Sequence, residues 1–104
     1  MTINGIPWSI RTAPLSSPLL HRADGSATIG MTDGRTHCIY LADGLRGPLL
    51  ERVLAHELVH AFMFSHNIKI DLDTEEFMAD WVSLYGRELI YKLDEILQAA
   101  KKTG

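Results

Sequence analysis

Leu50-Glu51-Arg52-Val53-Leu54-Ala55-His56-Glu57-Leu58-Val59-His60-Ala61-Phe62 decides the fold. Leu50, Val53, Leu54, Leu58 and Phe62 recur at helical spacing, which predicts a helix from about Pro48 to a left-handed stop at Asn67. Inside it, His56-Glu57-Leu58-Val59-His60 reads H-E-x-x-H. Residues four apart on a helix project from one face, so both imidazoles can converge on one ion. Zinc accepts neutral imidazole nitrogen, and Glu57, beside the first ligand, can reach a water in an open coordination position and take its proton. Val53, Leu54, Leu58, Val59, Phe62 and Met63 wrap this helix in apolar side chains. Two histidines and a carboxylate in such an element are costly unless they have partners, which favours a metal over a chance surface motif.

Toward the C-terminus a second helix is expected from near Asp73 to about Ala100, with Phe77, Leu84, Ile90 and Leu97 as an apolar stripe and Lys101 and Lys102 suited to its C-terminal end. Asp73 can cap it, with Glu76 as capping-box partner. Glu76 and Asp80 are also four apart, however, so they share a face as the histidines do. A carboxylate ligand backed by a second carboxylate suits a His-His-Glu site, because the outer one accepts the free N–H of a ligating imidazole. Sixteen residues after His60, on a helix that folds back, Glu76 is the expected third ligand and Asp80 its companion.

Toward the N-terminus the chain is punctuated differently. Residues 1–47 hold most of the eight Gly and three of the four Pro, so strands and turns are expected there, and helices in 48–104. Asn4-Gly5 is a tight-turn dipeptide, and Trp8 to Thr12 alternates as a half-buried strand does. Ser17-Pro18 caps a short helix through Arg22 that Asp24-Gly25 closes. Ala27 to Thr32 and Thr36 to Leu41 flank Asp33-Gly34 as an antiparallel hairpin. The expected class is α+β: a small antiparallel sheet packed against two long helices.

The chain has 104 residues, which suits one domain, and its 46% hydrophobic and 22% charged residues argue against disorder. A formal charge of −3 gives no footprint for nucleic acid or an anionic membrane. No apolar run approaches the ~20 residues of a membrane span, and the first residues lack the order of a secretory signal. The single Cys38 excludes an intrachain disulfide and fits a reducing cytosol, so a soluble cytoplasmic protein is expected.

His56-Glu57-x-x-His60 followed by Glu76-x-x-x-Asp80 resembles the gluzincin branch of zinc metallopeptidases. The compact form, over residues 56–82, is similar to small ImmA/IrrE-type metallo-endopeptidases of phages and mobile elements, and to minigluzincins. The resemblance implies one zincin-like domain over 1–104, with His56, His60 and Glu76 as zinc ligands, Glu57 as general base and Asp80 as the outer partner. It also implies hydrolysis of a protein or peptide, a regulatory protein such as a repressor among them, laid along an edge strand. The spacing from His60 to Glu76 is short for this branch, and no transition-state Tyr or His donor is identified. These departures keep a second reading in view, a zinc-stabilised protein-interaction module without turnover.

His66 is a rival third ligand, because His56, His60 and His66 stand at the metzincin spacing. That pattern needs a Gly where this chain has Met63, and a continuing helix would turn His66 about 240° away from His60. Glu75 is the other rival. His37 and Tyr40 are expected on the edge strand near the site as ordinary strand residues, and Cys38 as a packed one. Tyr85 should face away from the metal, Arg87 should be solvated or ion-paired, and His21 should lie on the surface.

Overall fold

The computed structural model describes residues 1–103 and is α+β. Strands β1 (Thr2–Ile3) and β2 (Ile6–Pro7) form an antiparallel pair turned at Asn4 and Gly5. Both turn residues are left-handed, at φ 50° and 78°, as the Asn-Gly dipeptide predicts. A second, three-stranded sheet comprises β3 (Ser9–Ala13), β4 (Gly30–Asp33) and β5 (Cys38–Ala42) in the order β3-β5-β4. The expected hairpin is β4–β5, antiparallel, with Thr32 opposite Ile39.

The sheet as a whole is mixed, because β3 runs parallel to β5. The chain leaves β3 through a 3-10 turn (Pro18–Leu20), capped by Ser17 as expected, and this connection carries it to the far side of β5. Leu20, fully buried, packs there with Ala13 and Ala42. His21 is half-buried rather than a free surface residue, with its Nδ1 2.7 Å from the Ser17 carbonyl oxygen. The strand bearing Tyr40 is also central, not the edge expected. Cys38, Ile39, Leu41 and Ala42 are all buried, and such a run suits a strand covered on both faces. His37 lies in the turn before it, at φ 52°, with its ring against Trp8 and Phe64. The edge beside the helices is β4.

Helix α1 (Gly47–Ser65) lays Leu50, Val53, Leu54 and Leu58 against a core of Ile3, Trp8, Ile39, Leu41 and Ala61. It stops where expected. Asn67 is left-handed at φ 55°, and the Ile68 N–H returns to the Met63 carbonyl at 2.9 Å. The β1–β2 turn and Trp8, just past β2, secure this end: Trp8 Nε1 donates to Ser65 Oγ at 2.8 Å, and Asn4 Nδ2 to the Ser65 carbonyl at 3.1 Å.

Helix α2 (Leu72–Trp81) begins two residues earlier than expected, capped by Asp71 rather than Asp73. The Thr74 hydroxyl and amide both donate to the Asp71 carboxylate, which holds its pKa below the usual value. A π-helical segment (Val82–Gly86) then joins α2 to α3 (Arg87–Thr103). The predicted second helix is thus one continuous run with an extra residue of slack in the middle. Its apolar stripe is not buried: Phe77, Leu84, Ile90 and Leu97 are all exposed, and α3 projects from the body. The radius of gyration is 16.1 Å, against about 13 Å for a compact chain of this length. Arg87 pairs with Glu51 at 3.5 Å, and the Tyr85 ring lies tilted beside Trp81. Among the described residues no helix is long and apolar enough to cross a membrane.

Candidate metal centre

Helix geometry brings His56 and His60 to one face of α1, their side chains 21% and 13% exposed. α2 folds back so that its first two turns lie across that face. His60 Nε2 is 2.9 Å from Glu76 Oε1, His56 Nε2 is 3.2 Å from Glu76 Oε2, and the two Nε2 atoms are 3.3 Å apart. Four ligands placed tetrahedrally at ~2.0–2.1 Å from zinc stand about 3.3 Å from one another. His56, His60 and Glu76 are therefore close enough together to hold a metal ion.

The outer contacts determine what these inner atoms can be. His56 Nδ1 is 2.9 Å from Asp80 Oδ1, and His60 Nδ1 is in short contact with Glu75 Oε2. A carboxylate only accepts, so each Nδ1 carries a proton and, in the neutral ring, each Nε2 presents a lone pair. Two lone pairs and a carboxylate then converge on one point. Such a donor set repels itself unless a cation sits among it, and it fits a divalent metal.

Asp80 thus stands where expected, behind His56. Glu75, weighed only as a rival ligand, instead orients His60. Each ligating imidazole needs an outer acceptor, and that requirement for two carboxylates was the available signal. His66 lies past the end of α1, exposed and stacked on Phe62 at 5.9 Å, and takes no part in the group.

Glu57 is 8% exposed and shares a cleft of about 730 Å³ with both histidines and Glu76. Its Oε1 is 2.9 Å from Thr32 Oγ1, a hydroxyl that also lies 3.0 Å from the Glu57 carbonyl. Nothing in the sequence singled out Thr32. Gly30, Met31 and Thr32 line the cleft opposite the helices, on a strand paired along one side only. The close approach needs Gly30. A Cβ there would lie 2.8 Å from Val53 Cγ1 and 3.1 Å from Glu57 Cγ. We expect Gly30→Ala to destabilise the fold by about 1–3 kcal/mol through overpacking, read as a lowered melting temperature; an unchanged value would show that β4 is free to shift.

Comparison of the chain with known protein families, with curated proteins and with solved structures finds no match.

Proposed function

We propose that the chain is a zinc-dependent peptidase of gluzincin type, akin to the small ImmA/IrrE-like enzymes, acting in the cytoplasm on an extended protein segment. The observation that carries this reading is the inward convergence of His56 Nε2, His60 Nε2 and the Glu76 carboxylate, each imidazole backed by its own carboxylate. Zinc suits two imidazoles and one carboxylate, with a fourth position for water or substrate.

The chemistry supplied by a bound zinc is Lewis acidity, toward water and toward a carbonyl. The protein's own residues do the rest. Glu57, held by Thr32 at the floor of the cleft, takes a proton from the attacking water and passes it to the leaving amine. Asp80 and Glu75 keep both rings in the tautomer that presents Nε2. The open side of β4 offers backbone groups with which an extended substrate can pair.

The test is metal content with turnover. Purified protein should carry near one zinc per chain, lose melting temperature on chelation, and digest unfolded polypeptide only when zinc is present. Absence of zinc would overturn the reading. Zinc without any cleavage would instead favour the interaction module.

A further inference from the structure

The two ends of the metal cleft differ in chemistry. Along α1, Arg52, His56, His60 and Phe64 follow one another at intervals of four, and all of them line the cleft. Arg52 and Phe64 each stand six residues from the midpoint of the two histidines, which is about 9 Å along the axis on either side. The opposite wall keeps the same order. Gly30 lies against Val53 and Glu57, Thr32 against Glu57, and Gly34, just past the strand, against the Phe64 ring. β4 therefore runs in the direction of α1, with its first residue toward the Arg52 end.

That end carries a cation without a partner. Arg52 is exposed, and among the described residues no carboxylate lies within ion-pair distance of it. The carboxylates of the cleft are already engaged: Glu75, Glu76 and Asp80 meet the histidines, and Glu57 meets Thr32. Arg22, on the loop that leads into β4, lines the cleft as well. The carboxylate two residues on, Asp24, is held by the amide and hydroxyl of Ser26. Beyond the histidines the other end is apolar, lined by the exposed Phe64, Ile68 and Leu72.

An extended segment on the open side of β4 advances ~3.3 Å per residue, so 9 Å is about two to three residues from the bond at the metal. Antiparallel pairing is the more stable per residue, and it directs the C-terminal part of that segment toward Gly30 and Arg52. Resting on the peptidase reading, we infer that Arg52, with Arg22, takes a substrate carboxylate about two to three residues after the cut bond, while the Phe64 end takes a bulky apolar side chain before it. A guanidinium presents a planar fork of donors that matches a carboxylate. An Asp or Glu side chain and a free C-terminus both supply that group on the C-terminal side.

A digest of unfolded polypeptide by the full chain with zinc gives the cut sites. Synthetic copies of one site, blocked at both ends, then vary the second and third residues after the cut bond. Glu there should raise kcat/KM about tenfold over Gln, the worth of one charge-assisted contact. A Gln peptide ending there in a free carboxylate tests the terminus as the source. A gain from either form supports the inference, and a gain from neither overturns it while leaving the peptidase reading intact. The ratio of Glu to Gln peptide should fall to about one in Arg22→Gln/Arg52→Gln and invert in favour of Lys in Arg52→Glu, as expected for charge pairing. Circular dichroism confirms that these exposed positions leave the fold in place, and an unchanged ratio in folded variants would overturn the inference. Should the wild type cut nothing, the peptidase reading fails and binding decides the carboxylate contact alone. An apolar peptide bearing Glu and a neutral fluorophore should then bind about tenfold tighter than its Gln form by anisotropy, and no tighter to Arg22→Gln/Arg52→Gln. Equal binding of both forms to the wild type would overturn it.

Discussion

Glu57→Gln should retain its zinc and lose about 10²–10⁴-fold in peptide hydrolysis, the share a positioned general base contributes. The amide is nearly the size of the carboxylate and can still accept from Thr32 through its carbonyl oxygen, so the close approach to Gly30 is preserved. What it lacks is a basic oxygen for the proton of water. Glu57 makes none of the inward contacts that join His56, His60 and Glu76, so metal content should not follow activity down. Equal digestion of unfolded polypeptide by wild type and variant would show that Glu57 is not the base.

The second large effect concerns the third ligand. Glu76→Ala should weaken zinc binding by more than the ~10–100-fold that loss of an outer partner costs, whereas His66→Ala should leave it nearly unchanged. Glu76 supplies one oxygen toward each histidine, at 2.9 and 3.2 Å, and its removal leaves the two rings as the remaining donors of the group. His66 has its ring against Phe62. Competition titration against a chromogenic chelator reads both affinities. The reverse ranking would replace Glu76 by His66 and overturn the gluzincin assignment. Asp80→Asn and Glu75→Gln should fall between the two, since each disturbs one imidazole and removes no ligand.

The parts of the fold that follow from neighbouring residues were readable in advance. Asn4-Gly5, Ser17-Pro18 and Asn67 each act through their own backbone preferences, and each turn or cap stands where those preferences put it, whereas the β4–β5 turn runs over residues 34–37, past Asp33, with its left-handed residue at His37 rather than Gly34. The spacing of His56, His60, Glu76 and Asp80 is equally local to two helices, and the structure gathers those four as expected.

Pairings between distant segments left no such trace. Nothing in Ser9–Ala13 states that it will run parallel to a strand 29 residues on, because the choice rests on how the intervening connection packs Leu20. Asp71 and Asp73 carry the same capping signal two residues apart, and the contact that favours Asp71 is local, the Thr74 hydroxyl three residues on donating to its carboxylate. The π-segment leaves the apolar pattern intact while altering its phase, so the sequence could predict a stripe on the second helix and not that it stands clear of the body.

The thin attachment of α2 has a consequence for local unfolding. Of its ten residues only Ala79 is fully buried, and its grip on α1 comes largely from Glu75, Glu76 and Asp80 reaching the two histidines. Apolar burial therefore contributes little to holding it down, while Trp8, Ser65 and the sheet hold α1 from the other side. The free energy to open α2 is set by polar contacts and lies well below that of the whole domain. The helix carrying half of the metal centre can therefore open while the sheet and α1 stay folded, and its amide hydrogens should exchange ahead of those of α1.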